Sequence, residues 1–210
     1  MKVVLAFAPG PDGTRAARAI AARAAKAAAV SRVEHGCALE GNAPVSTLVE
    51  IWGAGAPQLA AAIPTEALHG AWQVEPADPV PSPIPHGETG AVPGLRLVSL
   101  CKRIDGIDRA SFARHWHGEH RAIALSFAVL PAGYRQDVVS AVLHGPAIDG
   151  VAGLHFLSRE HVAQRYTAHP EDAARGARDA ARFLDVPGSL SFFTSVTVER
   201  TDSSSTGGTA

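Results

Sequence analysis

Residues 2–8 are apolar almost throughout and stop at the turn cluster Pro9-Gly10-Pro11-Asp12-Gly13, which predicts a first strand. Thr14 can cap a helix that runs to Ala29, because Ala17, Ile20, Ala24 and Ala27 recur at helical spacing while Arg15, Arg18, Arg23 and Lys26 fall elsewhere. Residues 30–39 and 46–53 read as strands joined by a Gly41-Asn42 turn, 57–62 as a short helix, and 71–75 as a fourth strand. Residues 76–94 carry proline at 76, 79, 81, 83, 85 and 93 and glycine at 87, 90 and 94, so this stretch is expected to be an irregular linker.

The same order returns after it. Residues 95–103 predict a strand, and Asp108 is placed to cap a helix over 109–123. Strands follow at 134–143 and 151–157, with Asp149-Gly150 turning between them. Ser158 can cap a helix to 167, Pro170 suits the first turn of another over 171–184, and 190–199 is the last strand. Residues 201–210 are small, polar and Gly-rich, and are expected to form a disordered tail. The chain therefore reads as two βαββαβ units, 1–75 and 95–200, each a sheet with helices on one face. The other sheet face must be buried, and packing the two sheets against each other within one chain does this.

With 46% hydrophobic residues the 210-residue chain can fill a core, and its formal net charge of −1 removes the basic footprint that nucleic-acid binding requires. No apolar run reaches the length of a membrane span, and the N-terminus reads as a strand rather than a leader, so no membrane partner is expected. Cys37 and Cys101 lack metal or redox spacing, which suits a reduced cytoplasmic setting. The chain is expected to be a monomer or a homodimer, since outer strand edges want cover.

Chemistry concentrates in Ser111-Phe112-Ala113-Arg114-His115-Trp116-His117-Gly118-Glu119-His120. Phe112, Trp116 and His120 are four apart and share one helix face, giving a stripe that is aromatic at one end and protonatable at the other. His120 is the first candidate acid/base group. Tyr134 and Gln136 share a strand face, and the Tyr134 hydroxyl can polarise a carbonyl. On 151–157, alternation sets Val151, Gly153, His155 and Leu157 on one face and Ala152, Leu154 and Phe156 on the other. If the first set faces the helices, His155 meets His120 across a cleft and Gly153 leaves room for a ligand. If it faces the partner sheet, His155 is an interface residue. Ser99 and Cys101 lie with Leu97 on one strand face that can line the same cleft. Asp137 falls on the opposite face from Tyr134 and is expected to pair with Arg135 or Arg103. His35, Cys37, Trp52 and Trp72 read as packing. His115, His117 and His120 match no zinc motif, and neither phosphate loops nor dinucleotide fingerprints occur, so no metal and no cofactor is expected.

The Phe112-x3-Trp116-x3-His120 spacing after a first strand, with Tyr134, Asp149-Gly150 and Phe183-Leu184-Asp185 in order behind it, resembles the EthD family. Residues 1–75 keep the topology without the motif and look like a degenerate copy. The resemblance implies an α+β fold in which tandem ferredoxin-like units form a dimeric-α/β-barrel-like structure within one chain, with a ligand cleft between sheet and helices. Related barrels include cofactor-free monooxygenases, polyketide cyclases, muconolactone-type isomerases and haem-handling enzymes. The expected partner is a small hydrophobic molecule. The expected activity is cofactor-independent acid/base chemistry on an aromatic or polyketide-like carbonyl compound, as a cyclase, isomerase or dehydratase. His120, His155 and Tyr134 would carry it, and Phe112, Trp116, Cys101, Ser99 and Gly153 would contact the substrate. The alternatives are oxygenation without a cofactor, or a non-catalytic small-molecule or haem-binding protein.

Overall fold

The computed structural model describes residues 1–39, 43–81 and 89–201; the Gly41-Asn42 turn, residues 82–88 of the Pro-rich stretch and the tail beyond 201 lie outside the described residues. The strands are β1 (Lys2–Phe7), β2 (Arg32–Cys37), β3 (Thr47–Trp52), β4 (Leu68–Glu75), β5 (Gly90–Cys101), β6 (Gly133–His144), β7 (Gly150–Phe156) and β8 (Leu190–Thr201). They close into one barrel in the order β1-β3-β2-β8-β5-β7-β6-β4, with β4 pairing back to β1. Every pairing is antiparallel.

The sequence pattern predicts two sheets stacked face to face. Instead their edges join, β2 to β8 and β4 to β6, so that one curved sheet encloses a lumen. Edge pairing satisfies backbone groups that a stacked pair would leave unpaired. A second difference lies in the Pro/Gly-rich stretch. Gly90, Ala91 and Val92 are already part of β5 and pair with Val198, Thr197 and Val196, and the register slips between Val92 and Arg96. Pro93-Gly94 sits in that bulge, where proline needs no ladder partner. Gly94 has φ +95°, and a Cβ there would fall 2.0 Å from the Phe156 carbonyl oxygen. Further back, Val80 and Tyr134 exchange backbone hydrogen bonds, so this part of the connection also lies along β6.

Helices cover the outside. The α1 helix (Pro11–Ala25) starts three residues before Thr14, because Pro11 takes the first helical position after Gly10. With α2 (Ala56–Ala61), it covers Val3, Leu5, Phe7, Val33, Val49 and Ile51. In the second half, α3 (Arg109–His115) is capped by Asp108, whose side chain accepts from the Ser111 amide at 2.6 Å. It passes through one π-helical turn, Trp116–His120, into α4 (Arg121–Leu125). Helix α5 (Arg159–Tyr166) is capped by Ser158, and α6 (Pro170–Ala180) begins at the expected proline. Among the described residues no helix is long and apolar enough to cross a membrane.

The alternate residues of each strand fill the lumen. One end is apolar, with Val4, Leu48, Trp72, Val98, Leu100, Val139, Val151 and Phe192. The other end is ionic. Glu34, fully buried, accepts from Arg96 Nη2 at 2.6 Å and from both terminal nitrogens of Arg135 at 2.9 Å. Lys2 pairs with Glu50 and Asp137, and Arg96 also with Glu50. Asp137 therefore joins Lys2, from the other half of the chain, rather than Arg135 or Arg103. Burial alone would raise the Glu50 carboxyl, but Lys2, Arg96 and Arg135 outweigh it and bring it to about 2. Glu34 is likewise pushed up by burial and held well below the usual carboxylate range by Arg96 and Arg135.

Candidate functional site

A cavity of about 410 Å³ lies between the outer faces of β5, β6 and β7 and helices α4, α5 and α6. Its floor is Leu97, Ser99, Cys101, Tyr134, Ala152 and Leu154, the outward-pointing set of three strands. Trp116 and His120 come from the π-helical turn, Phe127 from the loop after α4, Arg165 and Tyr166 from α5, and Ala173, Gly176, Ala177 and Ala180 from α6. The walls are mostly apolar with a few polar groups, the usual make-up of a small-molecule pocket. π-Helical turns recur at functional sites, and here the turn carries Trp116 and His120, with Ala124 following from α4.

His120 is the titratable centre. Its Nδ1 is 2.8 Å from Asp179 Oδ2, and Asp179 is only 4% exposed. An ionised Asp179 accepts from Nδ1–H, which fixes the tautomer and leaves Nε2 as the basic nitrogen for a ligand. Burial lowers the pKa of His120, and the Asp179 carboxylate restores part of that loss. The ring packs edge-on to Phe183 at 5.1 Å between centroids. The other Asp179 oxygen meets His115 Nε2 at 3.0 Å.

Tyr134 lies on the cavity floor, with its hydroxyl accepting from Gln136 Nε2 at 2.8 Å. That same nitrogen donates to the Trp116 carbonyl at 2.9 Å, and Gln136 Oε1 accepts from Arg121 Nε at 2.9 Å. Gln136 thus ties β6 to the π-helical turn and aims the tyrosine. Burial pushes the Tyr134 hydroxyl above its ordinary pKa, so it acts as a neutral hydrogen-bonding group. Burial also pushes the Cys101 thiol up to about 12, which keeps it an unreactive part of the wall.

Of the residues singled out from sequence, Trp116, His120, Tyr134, Ser99 and Cys101 meet at this cavity. Phe112 does not line it. It is fully buried beneath Trp116, 5.2 Å between centroids, and against Phe183, so it supports the indole rather than a ligand. His155 and Gly153 are on the wrong face. Ala152 and Leu154 point to the helices, and His155 turns inward, 3% exposed, with Nε2 2.9 Å from the Pro93 carbonyl. Both faces of β7 are buried, so alternation separated the two sets correctly without saying which one faced the cavity.

Asp179, Arg165, Tyr166 and Gln136 are the site residues that sequence reasoning missed. Asp179 lies on α6 seven residues after Asp172, on the same helix face, and these two aspartates are the helix's buried residues; two carboxylates at that spacing were the available signal. His117 and His120 do not converge: His117 Nε2 is 3.0 Å from the Gln136 carbonyl. His115, Glu119 and Asp179 do bring ligand atoms within 4.8 Å of one another. Arg182 Nη1 already lies 3.3 Å from Glu119 and 3.5 Å from Asp179, however, and supplies the positive charge that a metal would bring.

No curated protein matches the sequence. Among solved structures, an anthrone oxidase-like protein superimposes with a TM-score of 0.64 at 9% identity, over 93% of this chain and 90% of that one. A proposed monooxygenase from Fusobacterium nucleatum gives 0.50 at 10% identity, over 95% and 91%. At such identities the likeness is one of fold. The family model of the EthD domain matches residues 104–187, a segment that holds the cavity residues Trp116, His120 and Tyr134 and the His120 partner Asp179.

Proposed function

We propose that this protein is an enzyme acting on a small hydrophobic aromatic compound, with His120 as general base, Asp179 orienting it, and oxygenation of the resulting carbanion as the reaction. The strand order supports the structural side of this reading. Each half runs fourth-first-third-second, β4-β1-β3-β2 and β8-β5-β7-β6. That is the order of a ferredoxin-like unit, and two such units in one chain make a single-chain counterpart of a dimeric α/β barrel. The observation that carries the chemistry is the His120–Asp179 pair at the wall of an apolar cavity. A histidine base works near neutral pH, and a buried carboxylate on its far nitrogen stabilises the imidazolium that forms.

A ring stacked near Trp116, with its carbonyl against the Tyr134 hydroxyl, would present an acidic C–H to His120 Nε2. Deprotonation gives an enolate, which reduces oxygen directly. For anthrone, a probe suggested by the name of the structural neighbour, the balance is one anthrone plus one O2 giving one anthraquinone plus one water. His120 returns the first proton to the peroxide formed on the carbon, and loss of the second C–H proton with cleavage of the O–O bond leaves the carbonyl and expels the distal oxygen as water. The same base would serve cyclisation or isomerisation, so oxygen consumption separates these chemistries. The test is oxygen uptake and quinone absorbance with purified protein and anthrone. Stoichiometric uptake is expected, with a loss of about a hundredfold or more in His120→Ala, the usual worth of a general base. Quinone formation at an undiminished rate in His120→Ala would contradict the assignment.

A further inference from the structure

We infer that the cavity takes its ligand as an anion, and that Arg165 holds the negative oxygen. This deepens the proposed function and rests on the cavity being the substrate site. Arg165 lies on α5, is 2% exposed and lines the cavity. Its Nη1 donates to the Val129 carbonyl, and its Nη2 donates to the Ala124 carbonyl at 3.2 Å. These bonds tie the guanidinium to the end of α4 and the loop beyond it. The plane sits 4.5 Å from the Phe127 ring centroid and 5.7 Å from that of Tyr166. Its Nε–H is buried and has no acceptor. Among the described residues no carboxylate lies within ion-pair distance of it. The nearby buried acids are taken, Asp172 by Arg175 and the Ala128 amide, Asp179 by His115 and His120.

The contrast within the same molecule is informative. Lys2, Arg96 and Arg135 are just as buried, and each is matched by carboxylates. Arg165 alone among these buried cations is answered only by carbonyl dipoles and ring faces. Buried charges ordinarily require a full counter-charge, and here the cavity adjoins the guanidinium. An anionic oxygen is the chemistry that completes it. The oxygen can be a carboxylate already on the ligand or the phenolate or enolate that His120 generates, and both are recognised through charge-assisted hydrogen bonds.

The test is calorimetric titration of the intact protein with naphthalene-2-carboxylate and its neutral isostere naphthalene-2-carboxamide near pH 8, where the acid is fully ionised. Absorbance of bound 2-naphthol across pH reports the second source. A carboxylate preference of about tenfold or more over the amide, lost in Arg165→Met and partly kept in Arg165→Lys, supports the ligand-carboxylate source. A lowered ionisation pH of bound 2-naphthol, restored to its free value in Arg165→Met, supports the enolate source. If Arg165→Met does not fold, the wild-type ratio and Arg165→Lys decide. Equal binding of acid and amide, or failure of the carboxylate to bind at millimolar concentration, together with an unshifted naphthol overturns the inference, as does a preference that survives Arg165→Met. Catalysis is read separately: His120→Ala should lose anthrone turnover yet keep the anion preference. An inert wild type that still prefers the carboxylate would sink the oxygenase reading alone.

Discussion

Replacing Glu34 with glutamine tests whether the barrel lumen is a true low-dielectric ionic core. The substitution keeps shape and one acceptor oxygen but removes the charge facing Arg32, Arg96 and Arg135, with nitrogens at 2.6–2.9 Å. Removing one partner of a buried ion pair costs about 3–5 kcal/mol, because the remaining charge stays buried without its counter-ion. For a chain of this size each kcal/mol moves the melting midpoint by about 2–4 °C, so Glu34→Gln should lower it by roughly 6–20 °C at neutral pH. The pH dependence gives an independent check. Glu34 and Glu50 titrate lower in the folded state than in the unfolded chain. Their stabilisation is therefore complete above the unfolded carboxylate range, near about pH 4–5, and is lost as pH falls towards about 2. Circular-dichroism melts across that window should show a shallower acid limb for Glu34→Gln than for wild type. A drop of less than about 3 °C at neutral pH, with an unchanged acid limb, would mean that water screens the lumen and that the ion pairs behave as surface pairs do.

Gly150→Ala should destabilise the fold by about 1–3 kcal/mol through overpacking, because the added Cβ would lie 2.2 Å from the Trp116 ring; a melting point within 1 °C of wild type, about the noise of such a measurement, would refute the contact. Cys101, with its thiol at about 12, should be modified by an aromatic disulfide reagent near pH 8 about a thousandfold more slowly than an ordinary thiol, judged by thiolate fraction, and peptide mass mapping would expose any rapid labelling. Burial lowers the His120 pKa, so it should stay neutral below the ordinary histidine range and the acid limb of kcat/KM should fall below about pH 6.5; a limb above that value would point to a different base.

Much of the architecture was legible because period and punctuation agree. Asp108 and Ser158 cap helices as their positions predict, and Pro170 opens α6. The joining of sheet edges was not legible. It depends on pairings such as Arg32 with Thr201, which no local window contains. The Pro/Gly-rich stretch misled because Gly90 and Ala91 join Val92 in a ladder despite their poor strand propensity, held by β8 rather than by their own preference. At the site, the Trp116/His120 stripe was visible from helical spacing. Asp179 and Arg165 were not, since each acts through a contact made across 59 and 41 residues of chain.

The ionic end of the lumen also decides which halves can join. Most of its ion pairs run from one half of the chain to the other, Lys2 to Asp137, Arg96 to Glu34 and Glu50, Arg135 to Glu34. A barrel made from two copies of the first half would leave Glu34 only its own half's Arg32 and deprive it of Arg96 and Arg135. One made from two copies of the second half would crowd four guanidiniums together with only an Asp137 from each copy to answer them. Either self-pairing leaves desolvated charge unmatched, the kind of penalty by which specific interfaces reject wrong partners. The two halves are thus mutually exclusive complements, and this frees each to diverge. One can keep a cavity and its base while the other gives up its pocket and specialises in closing the barrel, an asymmetry closed to a barrel built from identical subunits, where every substitution enters twice.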